Sequence, residues 1–351
     1  MLKYIAKRLV NGFFVLQGVI LITFFLFHTL PGDPVELMAG QNADIQTREM
    51  IRQDLGLDKP LHVQYAYYLN DLSPISVYNN TPANQAKYDY HILIGLGDKV
   101  LTAKMPYLRR SFQSNRRVDE ILIDSLPGTL WLALASMLFA TVVGIILGLI
   151  AALKYNTFWD NFFVTTSVFG ISTPSFVSAI LISITFGYYL SDFTHLSMTG
   201  SLWENHPIYG RELHLENIIL PAFTLGIRPL AIIMQLTRSS MLDVLSQDYI
   251  LTAKAKGLAP IAVILKHALK NALNPVITTV SGWLASLTTG AFFVEYIFKW
   301  KGIGLKTIQA IEFLDLPIII GSTLMIASIF ILINIIVDIL YAVIDPRVRL
   351  Y

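Results

Sequence analysis

Asn334 and Asp338 stand four residues apart in a run, Pro317 to Tyr341, where Asp338 is the one charged side chain. One helical turn separates them, so on a helix they share a face. A carboxylate at that depth has two chemistries open to it. It can bind or relay charge along a transport path, or it can be neutralised by a basic partner such as Arg347 or a residue of a neighbouring span. Arg228 poses the same choice in the run Asn217 to Leu236, just before Pro229. It either faces a solvated cavity and a substrate carboxylate, or reaches from a helix end with its stem in the apolar phase. Catalytic spacings are missing from the chain. There is no GxxxxGK[ST] and no GxSxG, and neither "GIGLKT" at 302–307 nor "GISTP" at 170–174 supplies one. The histidines fall into no HExxH or other metal-ligand spacing, and there is no cysteine. Catalysis and a metal site are therefore not expected. A proton-driven carrier would want several buried carboxylates or histidines, and Asp338 is nearly alone, so the energy is expected from another subunit.

The elements that hold these residues follow from composition. Of 351 residues, 54% are hydrophobic and 14% charged, well below the roughly 25% charged of a soluble domain. Charge almost vanishes over six stretches near the 20 residues that a bilayer span requires. They are Leu9 to Leu30, Pro127 to Leu153, Asn161 to Leu190, Asn217 to Leu236, Ala272 to Val294 and Pro317 to Tyr341. The first is too long for a signal-peptide core and lacks a small-x-small cleavage site, so it reads as a retained span. The expected fold is an all-α integral membrane protein of six transmembrane helices. Residues 1–30 make an N-terminal segment and the first span. Residues 31–126 form a long extracytoplasmic loop, and residues 127–351 a five-helix core. Pro174 is expected to kink the third span. Net charge is +2, which gives no nucleic-acid signal.

With both termini cytoplasmic, Lys3, Lys7, Arg8, Lys154, Arg238, Lys254, Lys256, Lys266, Lys270, Arg347 and Arg349 all fall inside. The short outer loops then hold Arg211, Lys299, Lys301 and Lys306. That asymmetry sets the orientation. Within the long loop, "DLGLDKPLHVQYAYYL" reads as a turn followed by a Tyr-rich amphipathic helix. "NDLSPISVYNNTPANQAKYDY" reads as an irregular surface excursion.

Between the fourth and fifth runs, at about 243–273, lies "DYILTAKAKGL", residues 248–258. Ser246 is placed to cap a helix start, with Asp248 in the first turn and Lys254 and Lys256 near the end, where the helix dipole favours them. Gly257 can close the helix in a left-handed conformation with Leu258 as the hydrophobic stop. Pro260 then opens a second helix, expected to end before Pro275. Ala253 and Ala255 are expected to leave the outer surface without bulk, so that another protein can approach. A helix lying on lipid headgroups, or a loop packed on its own protein, fits the same pattern.

The stretch "SQDYILTAKAKGLAPIAVILKHALKNALNPVI" closely resembles the cytoplasmic loop of permeases in the dipeptide/oligopeptide/nickel family of ABC importers. "FHTLPGDPVELM", "DLGLDKPLHVQY", "SLPGTLWLA", "TPSFV", "LTRSSMLDVL", "FKWKGIGLKTIQAI" and "VDILYAVIDPRVRL" resemble further segments of that family, in order. About Leu72 to Met105 is the weakly matching part and looks like an insertion. Aligned on Gly257, the family's Glu-Ala-Ala signature is Leu251-Thr252-Ala253 here, so no glutamate takes a coupling role. The resemblance implies a type I importer permease for peptides or peptide-like solutes in the cytoplasmic (inner) membrane. It implies that Asp248, Tyr249, Thr252, Ala253, Lys254, Ala255, Lys256, Gly257 and Leu258 form a coupling helix seated on an ATPase. The implied partners are two ABC ATPase subunits, a second related permease and an extracytoplasmic solute-binding protein. This chain itself would carry no cofactor, ATP being bound by the partner ATPases.

Overall fold

A computed structural model describes residues 2–29, 35–36, 44–54, 56–206 and 210–344. Helix α1 is Leu2–Thr29. Helix α2, Ile45–Asp54, and α3, Leu61–Leu72, follow, with Pro60 ahead of α3. The tract expected to be irregular is ordered. It holds β1, Ile75–Asn79, and α4, Pro82–Tyr88. Thr81 caps α4 by accepting from the Asn84 N–H at 3.2 Å, and Pro82 occupies the first helical position, where its missing N–H costs nothing. Strands β2, His91–Leu96, and β3, Lys99–Ala103, form a hairpin turned at Gly97, which takes a positive φ of 67°. The sheet order is β1-β3-β2, antiparallel throughout. Its register pairs Ile75 with Ala103, more than twenty residues along the chain. Buried Tyr78, Tyr88, Tyr90, Val100 and Tyr107 hold this small subdomain together. A sheet closed by so distant a partner leaves no local sign in a Pro- and Asn-rich tract.

The next helix, α5, runs Val118–Leu153 and starts nine residues before the expected span; Asp119 and Glu120 occupy its first turn. Helices α6, Phe158–Ser172, and α7, Ser175–Ile184, are separated by extended Thr173 and Pro174. The chain bends there by 110°. The expected kink is a full break, because proline removes a helical N–H and pushes its predecessor out of the helical region. After a hairpin of β4, Trp203–His206, and β5, Gly210–Leu213, comes α8, Ile219–Leu245. Helix α9 is Asp248–Ala255. A helical turn at Pro260–Ala262 and a wide turn at Val263–Leu269 lead into α10, Lys270–Gly290. Helices α11, Phe292–Ile297, α12, Ile303–Glu312, and α13, Leu316–Ile344, complete the described chain.

Four helical stretches among the described residues are long and apolar enough to cross a membrane: 5–27, 118–153, 215–245 and 316–339. The bent pair α6 and α7 makes a fifth if it counts as one span. The remaining expected span is helical over Lys270–Gly290, but Asn271, Asn274, Thr278, Thr279 and Ser281 thin its apolar character.

The chain divides into two compact units. The first holds residues 1–9, 125–305 and 329–351. Its core includes Leu132, Ile233, Leu287 and Trp300. Gly148 lets α5 and α8 approach closely, since a Cβ there would lie 2.5 Å from the Met234 carbonyl oxygen. The second unit holds residues 10–124 and 306–328. In it Ile20 and Phe27 of α1 pack with Ile320 and Leu324 of α13 and with Tyr65 and Tyr68 of α3. Asp315, 2% exposed, accepts from Ser111 Oγ at 2.5 Å and the Phe112 N–H at 3.1 Å, which ties the loop before α5 to the start of α13.

Lys104 is buried in the second unit, donating to the Asp71 carbonyl and lying 5.8 Å from the Tyr78 and Tyr88 ring centres. Burial lowers its ammonium from 10.5 to about 8, although the Asp71 charge pulls the other way. The folded chain therefore releases this proton near 8, while the unfolded chain keeps it to about 10.5. In that window the unfolded state binds more protons, so stability rises with pH. Thermal unfolding followed from pH 8 to 10.5 is expected to show a steeper rise for the wild type than for Lys104→Met. Equal slopes would contradict the assignment.

Candidate functional site

The stretch after α8 builds a short, closed rod. Ser246 does not start it. Its Oγ donates to the Asp243 carbonyl at 2.8 Å, so Ser246 finishes α8, and Gln247 in extended conformation stands at the N-cap of α9 without a side-chain bond. The serine sits one residue too early, and its hydroxyl satisfies an orphan carbonyl at the end of α8 instead. Asp248 is in the first turn and Lys254 in the last, as the dipole favours. Lys256 is the C-cap. The Leu258 N–H bonds the Ala253 carbonyl at 3.4 Å and the Gly257 N–H bonds the Lys254 carbonyl at 3.0 Å, a Schellman closure. Gly257 takes a φ of +75°, as that motif demands. Pro260 occupies the first position of the next helical turn.

Packing decides which face is outward. Ile250, fully buried, and Ala253, 6% exposed, sit in a cluster with Ala152 of α5, Met241 of α8 and Ala272 of α10. The expectation that both alanines are bare to a partner is thus corrected. Ala253 faces inward because α9 needs an apolar seat, and a 3.6-residue period puts 250 and 253 on one side. Tyr249, Leu251, Thr252, Lys254, Ala255, Lys256, Gly257 and Leu258 are exposed. The Tyr249 hydroxyl accepts from Asn271 Nδ2 at 2.9 Å, joining α9 to α10 on its outer side. The second helix does not stop before Pro275 but carries that proline inside α10. Ala272 and Val276 on either side are both 1% exposed, and α10 packs along α8. Burial of this face outweighs the lost backbone bond, and bundled helices accommodate proline.

The polar residues of the spans do not form one site. Asp338 Oδ2 lies 3.0 Å from Arg8 Nε, an ion pair between the ends of α13 and α1. A neighbouring span was one of the two partners expected from sequence; Arg347, the other, lies outside the described residues. Asn334 Nδ2 donates to the Phe330 carbonyl at 2.8 Å, one turn back on its own helix. Arg228 is exposed, with its guanidinium 6.0 Å from the Trp283 ring centre.

Asp160 and Glu295 are among the buried carboxylates that were not singled out by sequence. Asp160, 1% exposed, receives Arg238 through two bonds, Nε to Oδ1 at 2.5 Å and Nη2 to Oδ2 at 2.8 Å, and also the Asn156 N–H at 2.9 Å. Glu295, fully buried, accepts from Thr129 Oγ1 at 2.7 Å and the Leu305 N–H at 3.1 Å. Thr129 Oγ1 accepts in turn from the Ile303 N–H at 2.9 Å, and Trp300 Nε1 donates to the Gly128 carbonyl at 2.8 Å. A Cβ on Gly302 would lie 2.3 Å from the Glu295 carboxylate, so the paired glycines of "KGIG" were the available signal. These arrangements position helices. What the whole offers is mechanical: a capped rod with an apolar seat shared by three long helices.

Residues 144–350 match the family described as "Binding-protein-dependent transport system inner membrane component". Residues 1–133 match "Binding-prot-dependent transport system membrane comp, N-term". The chain is 35% identical over 350 residues to the glutathione transport system permease protein GsiC of Salmonella typhimurium strain LT2. It is 36% identical over 351 residues to the protein of that name from Escherichia coli strain K12. Each alignment covers 99% of both chains. Among solved structures, one of the MetNI methionine ABC transporter in an inward-facing form is 14% identical, covers 65% of this chain and 97% of that chain, and aligns with a TM-score of 0.49.

The two alanines of α9 give a direct check on its seating. Ala253→Arg places a charge in the seat and is expected to destabilise the purified protein by about 3 kcal/mol, as for an uncompensated buried charge. Ala255→Arg, on the exposed side, is expected to leave the melting temperature unchanged. Equal melting temperatures for both variants would mean that the seat is not formed.

Proposed function

The chain belongs to the family of binding-protein-dependent transport system inner membrane components, and from that membership we propose that it forms half of a translocation pathway for peptides or peptide-like solutes. It is a non-catalytic permease of an ABC importer, working with an ATPase and a binding protein. In the proposed assembly there are two ATPase subunits, a second related permease and one solute-binding protein on the outer side. Both termini are cytoplasmic, an orientation that the basic residues of the short inner segments support. Most of residues 31–126 then stand outside, where the binding protein lands. The peptide class rests on the relatives, whose names specify glutathione, a peptide-like solute.

One observation carries the coupling assignment. Helix α9 shares a single apolar seat with α5, α8 and α10 through Ala152, Met241 and Ala272. A load on its exposed face passes to three long helices at once. Its closure at Gly257 and the proline start at 260 keep it stiff, so the load moves a body rather than bending a loop. The coupling surface is Asp248, Tyr249, Thr252, Lys254, Ala255, Lys256, Gly257 and Leu258, with Ala253 acting from beneath as an anchor. Along the path, exposed Arg228 is the candidate for meeting a peptide carboxylate. The pairing of Asp338 with Arg8, and of Asn334 with its own helix, favours structural roles for those two.

Tagged protein purified in mild detergent is expected to bring down an ATPase pair and a second permease. The double variant Lys254→Glu, Ala255→Arg is expected to lose the ATPase and keep the permease. Gly257→Val is expected to assemble, since the left-handed strain is only about 1–2 kcal/mol, but to cut uptake at least about tenfold, roughly 1.4 kcal/mol of coupling, while ATP hydrolysis continues. Normal uptake by Gly257→Val would sink the coupling assignment. Wild-type protein that purifies alone would sink the assembly.

A further inference from the structure

The three-stranded sheet of the second unit carries apolar side chains on both of its faces. The inner face is occupied. Ser76, Tyr78, Val100 and Thr102 are buried there, and Tyr78 stacks on Tyr88 with ring centres 4.2 Å apart. Residues paired across strands share a face. The register therefore puts Ile75, Ala103 and His91 in one row of the outer face, Val77, Leu101 and Ile94 in the next, and Asn79 with Lys99 in the third. Ile75, Val77 and Ile94 are 59%, 42% and 55% exposed. A bulge at Leu93, also exposed, sets a further aliphatic side chain beside them. An antiparallel sheet with one buried face ordinarily turns polar residues outward. Here only the third row and His91, on the edge strand, do so.

The two ends of the sheet differ in what they join. Leu72, just before Ile75, and Leu108, shortly after Ala103, pack in the cluster that holds Ile20 and Phe27 of α1 and Ile320 and Leu324 of α13. Those four residues lie toward the end of the span 5–27 and the start of the span 316–339. The Thr23 and Tyr68 hydroxyls, 3.1 Å apart, fix α3 to α1. Asn70 fixes α3 to the sheet, donating to the Val77 carbonyl at 3.2 Å and accepting the Val77 N–H at 3.1 Å. The apolar rows are thus nearest the spans, and Asn79 lies about 13 Å beyond Ile75 along the strand.

We propose that this outer face rests on the lipid bilayer, with Ile75, Val77, Leu93 and Ile94 dipping among the headgroups and upper acyl chains beside α1. Polarity along the strands follows distance from the spans, which is the gradient of a membrane surface. Protein-binding faces are enriched in aromatic residues, Met and Arg, and the residues of the three rows include none of these. The sheet goes no deeper than the headgroup layer. Asn70 closes the edge of β1, but β2 is the other edge strand, and its outward backbone groups need the water of that layer. The contact sets how the subdomain is held against the membrane and leaves its other faces for the binding protein. It goes beyond the transport reading and needs only that α1 spans a bilayer.

The chain has no cysteine, so one introduced cysteine is its single attachment site. Val77→Cys, Ile94→Cys and Lys99→Cys are each labelled with a polarity-sensitive fluorophore in the complete importer, its other subunits made cysteine-free, in phosphatidylcholine nanodiscs without the binding protein. Quenching by lipid spin-labelled near the glycerol is compared with quenching by aqueous iodide. Labels at 77 and 94 are expected to emit at shorter wavelength and to be quenched several-fold more by the lipid than the label at 99, which iodide reaches instead. All three positions are exposed, and unchanged melting temperatures check that the variants fold. Should Val77→Cys fail to fold, Ile94→Cys, on another strand, gives the same reading. Iodide quenching at 77 and 94 equal to that at 99 would put the face in water and overturn the proposal. Labels at 77 and 94 shielded from both quenchers would mean that protein covers the face, which overturns it too. Neither result touches assembly or uptake, which test the transport reading separately.

Discussion

In a hydrocarbon phase an unpaired backbone N–H or C=O costs several kcal/mol, and no water is present to relieve it. Regular helix meets this demand along its length but fails wherever a helix ends or breaks. Several of the breaks among the described residues are closed by a specific device. Asp160 accepts the Asn156 N–H after α5, Asp315 takes the Phe112 N–H ahead of the same helix, and Glu295 takes the Leu305 N–H in α12. Each of these carboxylates is nearly inaccessible to solvent. Each also binds a side-chain donor, Arg238, Ser111 or Thr129, so the burial of each carboxyl group is offset by several hydrogen bonds. The same demand, met without any charge, produces the Schellman closure at Gly257.

These devices leave the long helices as stiff bodies joined at few places. Close approach between α5 and α8 depends on glycines that admit no side chain. Between α6 and α7, Thr173 and Pro174 make a corner rather than a bend, so the two halves behave as separate segments. A permease has to turn a push at one end into rearrangement along its length. Stiff helices, rigid corners and one shared seat under α9 supply a mechanical basis for that. No reacting group is needed, and the buried carboxylates serve position rather than chemistry.

The second unit follows a different logic. Its sheet and tyrosine cluster form a subdomain with its own small core.

The amino-acid sequence by itself determined the apolar runs, the short helix between the fourth and fifth, its closure at Gly257 and its restart at Pro260. Those are local properties: hydropathy over about 20 residues, a left-handed position that favours glycine, and a first helical turn that tolerates proline. It also carried the family, through ordered segments spread over nearly the whole chain. Tertiary structure alone decided where competing local signals ended. Ser246 could serve either helix, and its hydroxyl went to the end of α8. Pro275 reads as a stop, and burial of Ala272 and Val276 carried α10 through it. Ala253 and Ala255 look alike in sequence, and only the apolar seat assigns one inward. Asp338 had two candidate basic neighbourhoods, and the fold delivered Arg8 from the other end of the chain. The sheet over 75–103 and the Glu295 cluster are made by residues far apart in sequence, and no short-range pattern encodes a partner of that kind.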